Sequence, residues 1–178
     1  MKYPTIFHLI SDVFNKKNTD AVLIGGFAVN YYKVSRQTAD IDFLITKDGF
    51  DEISVLLEKE GYKKDYSQDV FAKLSNSQQY LMDIDFMFVD IETLTRIIKD
   101  AKEITIAKQK FMVPSLNHLI ALKLHSLKFN PKIRENRDLP DIIELVRVNK
   151  VNVKDRDFKE VCLKFGTEEL YSRILNRM

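Results

Sequence analysis

Two pairs of aspartates have the spacing that lets both side chains of each pair act on one ligand. Asp40 and Asp42 stand in the run Asp-Ile-Asp-Phe-Leu-Ile, and Asp83 and Asp85 stand in Asp-Ile-Asp-Phe-Met. The alternation of acidic and apolar residues predicts two strands, and residues two apart on a strand share a face. Neighbouring carboxylates repel each other, so a divalent cation is a favourable counter-charge. Oxygen ligands without a nearby His or Cys favour Mg²⁺ or Mn²⁺.

A glycine pair precedes the first aspartate pair. Gly25 and Gly26 follow the short apolar run from Ala21 to Ile24, which predicts a buried strand that ends in a tight turn. Because a short helix is predicted from Phe27, backbone N–H groups and the positive end of a helix dipole are available to a phosphate. A phosphate site beside a carboxylate-bound metal is suited to displacement at phosphorus. Taken alone, each motif also has an ordinary explanation, as a simple turn and as a solvated edge strand.

Composition excludes several classes of protein. The chain has 178 residues, of which 45% are hydrophobic and 30% charged, and a net charge of +2. This balance is typical of a globular protein, and the charge is too small to indicate nucleic-acid or membrane binding. The lone Cys162 excludes an internal disulfide and a thiolate zinc site. We expect a cytoplasmic protein, since no apolar run approaches the ~20 residues of a membrane span and Met-Lys-Tyr-Pro does not open a signal peptide.

Hydrophobic periodicity predicts an α/β (α+β) protein whose mixed sheet is flanked by helices and followed by a helical region. Strand and helix patterns alternate over residues 1–113, and only helical patterns occur over 114–178. The pattern leaves open whether these are two domains or one. Ser75-Asn76-Ser77 predicts a hairpin turn between strands at Val70–Leu74 and Gln79–Val89. Asp138 predicts the N-cap of a helix that begins at Leu139.

One stretch of the sequence resembles a known signature. The run Val22-Leu23-Ile24-Gly25-Gly26-Phe27-Ala28-Val29-Asn30, followed by Arg36-Gln37-Thr38-Ala39-Asp40-Ile41-Asp42, is similar to that of the nucleotidyltransferase superfamily related to DNA polymerase β. The signature is a Gly-Gly or Gly-Ser turn, a spacer, Asp-x-Asp, and a third acid on a following strand. The chain most resembles a branch of small bacterial enzymes that includes lincosamide-type resistance enzymes and the toxins of type IV toxin–antitoxin systems. The resemblance covers residues 21–145, and Gly26 stands where many relatives have Ser.

The resemblance implies metal-dependent transfer of a nucleoside monophosphate from a nucleoside triphosphate to an acceptor hydroxyl, with release of pyrophosphate. It implies a nucleotidyltransferase-like sheet in which Asp40 and Asp42 bind Mg²⁺ or Mn²⁺. The third catalytic and metal-binding acid is Asp85, because Ile84-Asp85-Phe86-Met87 matches the apolar-Asp-apolar-apolar setting better than the surroundings of Asp83 do. Asp83 is the reserve candidate. The nucleotide-binding residues that the resemblance implies are Gly25, Gly26, Arg36, Thr38 and Lys123.

Two of these residues have competing interpretations. Lys123 either reaches the triphosphate, or it is an exposed lysine whose stem covers Leu119 or Leu127. Arg36 either clamps a phosphate or pairs with Asp40 in the empty protein.

The acceptor stays open at this point and is a small molecule, a tRNA end or a protein. An antitoxin or a second copy of the chain would be a further partner. We expect no membrane partner. The alternative function is a catalytically inactive nucleotide-binding or interaction module on the same fold. A generic α/β protein with an acidic edge would bind no nucleotide at all.

Overall fold

The computed structural model describes residues 2–78 and 81–178. Seven strands and eight helices form within these residues, which confirms the predicted α/β class. In chain order they are α1 Ile6–Lys17, β1 Ala21–Leu23, α2 Gly25–Tyr31, β2 Asp40–Ile45, α3 Lys47–Lys59, β3 Tyr62–Gln68, β4 Phe71–Asn76, β5 Asp83–Phe88, α4 Ile91–Lys99, β6 Lys102–Ile106, β7 Gln109–Val113, α5 Leu116–Phe129, α6 Pro131–Val148, α7 Arg156–Phe165 and α8 Glu168–Leu175.

The strands form one mixed sheet in the order β3-β4-β5-β2-β1-β7-β6. β2 pairs in parallel with β5, and β1 pairs in parallel with β7. The remaining neighbours are antiparallel. The parallel β2–β5 pair aligns Asp40 with Asp83, which lies 43 residues later in the chain, and parallel pairing requires such a long connection.

One face of β2 and β5 is apolar, because polar and apolar residues alternate along both strands. Phe43 and Phe86 are fully buried on this face. Phe14 of α1 meets Phe43 edge to face at 5.0 Å between ring centroids, and Phe50 of α3 meets Phe86 at 5.1 Å. Aromatic pairs in these geometries add to the burial of apolar area. The four aspartates alternate with these buried apolar residues along β2 and β5, so they lie on the opposite face of the sheet.

The described chain divides into two compact units. One contains residues up to 28 and residues 37–114, and the other contains residues 29–36 and 115–178. The first unit holds the whole sheet with α1, α3 and α4, and the second holds α5 to α8. Residues 29–36, which the sequence pattern places in the first region, group with the helical unit.

The predicted hairpin between β4 and β5 forms, since these strands pair antiparallel, but its turn does not begin at Ser75. β4 continues through Ser75 to Asn76, and a separate tight turn at Asp69 and Val70 joins β3 to β4. Gln79, the predicted start of the next strand, lies outside the described residues, and β5 begins at Asp83. Ser and Asn residues favour turns but also occur in strands, so their local preference is outweighed by pairing with β3.

The predicted N-cap role of Asp138 is also wrong. α6 begins at Pro131, and Asp138 lies in its interior together with Pro140. Pro140 has no N–H to donate to the carbonyl of Asn136, yet the helix continues past it to Val148. Proline is common in the first turn of a helix, and that preference produced the wrong start.

A buried ion-pair network, here called the Lys123 network, joins α5 to α6 within the second unit. The Lys123 ammonium on α5 donates to Asp138 Oδ1 at 2.9 Å and to Asp141 Oδ2 at 2.6 Å, both on α6. Arg36 also pairs with Asp141. The Lys123 side chain is only 8% exposed, so the interpretation as an exposed lysine is wrong.

Cys162 is fully buried in the second unit, as expected of a small core residue. Burial raises the pKa of its thiol to about 12, so it is a poor nucleophile at neutral pH. Among the residues that the structure describes, no helix combines the length and the apolar character needed to cross a membrane.

The Lys123 network yields a stability prediction. Lys123→Met keeps most of the apolar stem but removes the ammonium from two buried carboxylates, of which Asp141 also pairs with Arg36. We expect the free energy of unfolding to fall by about 3–5 kcal/mol, as it does when one partner of a buried ion pair is removed. Chemical denaturation should show this loss, whereas Lys128→Met, at an exposed site on the same helix, should stay within about 0.5 kcal/mol of wild type. Equal stability of the two variants would mean that the network contributes little.

Candidate active site

Four carboxylates lie on one face of two adjacent strands, here called the acid face. The parallel register places Asp40 opposite Asp83 and Asp42 opposite Asp85. Opposed residues of paired strands share a face, and adjacent strands are about 4.8 Å apart. All four aspartates are half-buried, while the residues between them are buried in the core below. The two aspartates of each strand share a face, as predicted. The register in addition aligns the aspartates of β2 with those of β5.

The turn after β1 lies against Asp42. The N–H of Ile24 donates to the Asp42 carbonyl at 2.9 Å, which brings the following residue, Gly25, alongside the Asp42 side chain. Gly25 has a φ of +59°, and a Cβ placed there would lie 1.8 Å from Asp42 Oδ2. Only glycine combines this backbone conformation with so close an approach. Gly25 and Gly26, the first two residues of α2 and here called the glycine turn, therefore lie against the acid face.

Gly26 makes a second close approach, to Thr38. A Cβ at Gly26 would lie 2.7 Å from Thr38 Cβ. The Thr38 hydroxyl in turn donates to Asp40 Oδ1 at 2.9 Å. Thr38 thus fixes the Asp40 side chain and is itself seated against the glycine turn. Six of the predicted site residues are brought together in this way: Gly25, Gly26, Thr38, Asp40, Asp42 and Asp85.

Lys73 is a member of this site that the sequence analysis does not predict. It lies on β4 directly opposite Asp85, and its ammonium lies 3.2 Å from Asp83 Oδ2. The hydrogen bond to Asp83, followed by the charges of Asp85, Asp83 and Asp40, raises the pKa of Lys73 above its ordinary value. The position of Lys73 between the apolar residues Ala72 and Leu74 indicates that it lies on a strand. Its neighbours on the next strand, however, are set by the antiparallel β4–β5 register, which the sequence does not reveal.

Arg36 and Lys123, two further predicted nucleotide-binding residues, take part in a separate ion-pair network. Both lie in the second compact unit, where they share Asp141 in the Lys123 network. The guanidinium of Arg36 pairs with Asp141, a partner that the sequence does not predict. Their predicted contacts with a nucleotide stay predictions.

The acid face fits a hard divalent cation by the chemistry of its donors, which are all carboxylate oxygens. Within residues 2–78 and 81–178, no three His, Cys, Asp or Glu side chains converge on a ready metal site. Asp40 accepts from Thr38, and Asp83 pairs with Lys73. Mg²⁺ commonly takes one or two carboxylates and completes its shell with substrate phosphates, so its binding does not require three converging side chains.

The glycine turn yields a second stability prediction. Gly25→Ala places a Cβ against the Asp42 carboxylate and also strains a left-handed backbone, whereas Gly61→Ala strains a left-handed backbone with its nearest contact at 3.4 Å. We expect each to lose about 1–2 kcal/mol from backbone strain, and Gly25→Ala to lose more because Asp42 must move. Denaturant titration of both variants gives the comparison. Equal losses would show that the approach of Gly25 to Asp42 is not a tight contact.

Comparison with solved structures identifies the fold. The solution structure of the antibiotic-resistance factor ANT(2'')-Ia is similar over 97% of this chain and 90% of that one, with 17% identity and a TM-score of 0.60. Lincomycin-bound LnuA, a lincosamide antibiotic adenylyltransferase, is similar over 78% of this chain and 93% of that one, with 19% identity and a TM-score of 0.54. An antigenic nucleotidyltransferase-like protein from Paracoccidioides brasiliensis covers 97% of this chain and 90% of its own, with 16% identity and a TM-score of 0.54. At these identities the likeness establishes the fold alone.

Comparison with sequence families covers almost the whole chain. No curated protein matches the sequence. In contrast, the family described as "nucleotidyl transferase of unknown function (DUF2204)" matches residues 4–178, which include the glycine turn, the acid face and the Lys123 network. The chain therefore belongs to this nucleotidyl transferase family, and the superfamily indicated by its sequence motifs is confirmed.

Proposed function

We propose that the protein is a metal-dependent nucleotidyltransferase that moves a nucleoside monophosphate from a nucleoside triphosphate to an acceptor hydroxyl. The observation that carries the proposal is the β2–β5 register, which sets Asp85 opposite Asp42 on the acid face, with the glycine turn against Asp42. Membership of a nucleotidyl transferase family supports the reaction class. The register supplies the acids that this reaction needs, on two different strands.

The three carboxylates have different roles in the proposed reaction. Asp40 and Asp42 would hold Mg²⁺ or Mn²⁺ together with the triphosphate, and Asp85 would be the third ligand. When bound, the metal neutralises phosphate charge and makes the acceptor hydroxyl more acidic. Asp85 accepts the proton of that hydroxyl as its oxygen attacks the α-phosphorus, and the bond to the leaving pyrophosphate breaks. Asp83 is less suited to this role, because its carboxylate would have to leave the ion pair with Lys73.

The glycine turn binds phosphate through its backbone. The first N–H groups of a helix have no partner within that helix, and two residues without a Cβ let a phosphate come close to them. Thr38 keeps Asp40 oriented through its hydroxyl. Arg36 and Lys123 remain proposed phosphate ligands, and each would have to exchange a contact with Asp141 to serve as one.

The acceptor is a hydroxyl on a small molecule, an RNA end or a protein. Two of the similar structures, ANT(2'')-Ia and LnuA, are described as an antibiotic-resistance factor and a lincosamide antibiotic adenylyltransferase, which favours testing antibiotics first. A toxin role with an antitoxin partner, a homodimer and a cytoplasmic location are further predictions of the same proposal. Triphosphates radiolabelled at the α-phosphate, incubated with the protein, Mg²⁺ and either antibiotics or a cell lysate, would identify the labelled acceptor.

The acid face predicts a split between binding and transfer. Asp85→Asn keeps the size of the side chain but loses its basicity, so we expect nucleotide affinity within a few-fold of wild type and a loss of transfer of about 10²-fold or more. Asp83→Asn is the matched control on the same strand and should lose much less. Nucleotide affinity and single-turnover labelling are measured for both variants. An essential Asp83 with a dispensable Asp85 would reverse the assignment, and full activity in both would refute the three-acid site.

Metal binding should be coupled to nucleotide binding. Because Mg²⁺ relies on substrate phosphates to complete its shell, calorimetry should detect weak binding of the metal alone and much tighter binding with a triphosphate present. Asp42→Asn should abolish the coupled binding, while Asp20→Asn, an exposed aspartate before β1, should not affect it. Equal metal affinity of wild type and Asp42→Asn with nucleotide present would overturn the assignment of the ligands.

A further inference from the structure

Lys73 is the cation that meets the acid face from β4. It is aligned directly with Asp85 in the antiparallel β4–β5 register, yet its ammonium lies 3.2 Å from the carboxylate of Asp83. A long side chain on one strand reaches the diagonal neighbour on the next strand as readily as the residue directly opposite. The side chains of Lys73 and Asp83 are each 37% exposed, so the pair lies at the edge of the acid face and not in the core.

The ion pair distinguishes two aspartates that share a strand and a face. Asp83 and Asp85 share a strand, a face and a half-buried setting, and each is aligned with an aspartate of β2. Position on β5 therefore leaves two acids that could fill one ligand position. Lys73 distinguishes them, because a carboxylate held by an ammonium must give up that ion pair before it can bind a metal.

We propose that Lys73 is a positioning residue that holds Asp83 away from the metal and so reserves the third ligand position for Asp85. The inference rests on the proposed function and adds to it a specific device for selecting one ligand from two. Lys73 itself does not touch the reacting atoms in this proposal. Its effect passes through Asp83, so the two residues must act as a coupled pair.

The test is a double-mutant cycle read by Mn²⁺ binding to the protein alone, measured by electron paramagnetic resonance. Lys73→Met should raise Mn²⁺ affinity by about tenfold, because it removes a cation near the metal and frees a carboxylate. Asp83→Asn should change the affinity of the wild-type protein little, but it should lower the affinity of the Lys73→Met protein several-fold. Lys73→Arg preserves an ion pair and should match wild type, a rescue that a general effect on folding would not produce.

The inference depends on whether the effects of Lys73→Met and Asp83→Asn on Mn²⁺ affinity are additive. If Asp83→Asn has the same effect in the wild-type and Lys73→Met backgrounds, Lys73 acts only as a nearby charge and the inference fails. Lys73→Gln repeats the cycle with a polar side chain, should Lys73→Met fold poorly. Asp42→Asn separates this failure from failure of the proposed function. If it leaves Mn²⁺ affinity unchanged, the acid face is not the metal site, whereas a loss of affinity together with an additive cycle rejects the role of Lys73 alone.

Discussion

The parallel register of β2 and β5 is the constraint on which the candidate site depends. It aligns four carboxylates on one face and leaves the other face of the same strands fully apolar, with Phe43 and Phe86 buried under α1 and α3. A slip of one residue in either strand would turn its aspartates into that core, so the register is strongly specified by burial. The packing of the sheet therefore holds in place a group of charges that would otherwise repel one another apart.

The two charge clusters of the protein are balanced differently. The Lys123 network joins two cations to two carboxylates and is formally neutral, with side chains largely buried. The acid face sets four aspartates against Lys73, which leaves a formal excess of three negative charges. A neutral buried network is complete without a ligand, whereas a half-buried excess of negative charge is more stable when a cation binds. This difference, and not the number of charged residues, makes the acid face the candidate site and gives the Lys123 network a structural role that any phosphate contact must compete with.

The parts of the site that sequence could predict are those with a local signature. Asp40 and Asp42 share a face because a strand repeats every two residues, and the Gly25-Gly26 pair ends a strand because glycine permits the turn. These motifs and their order also indicated the superfamily, which the family match confirms. The alternation of Asp85 with its apolar neighbours likewise gave its strand and its face.

The parts that sequence could not predict depend on which distant segments meet. Lys73 looks like any lysine of an amphipathic strand until the β4–β5 register sets it beside Asp83. Lys123 looks like an exposed helical lysine until α6, running unbroken past Pro140, presents two carboxylates to it. In both cases the local pattern was compatible with a solvated charge, and the partner was contributed by another element. The choice between Asp83 and Asp85 draws on both sources. The motif favours Asp85 from its sequence neighbours, whereas the ion pair that engages Asp83 comes from a neighbouring strand and exists only once the sheet has formed.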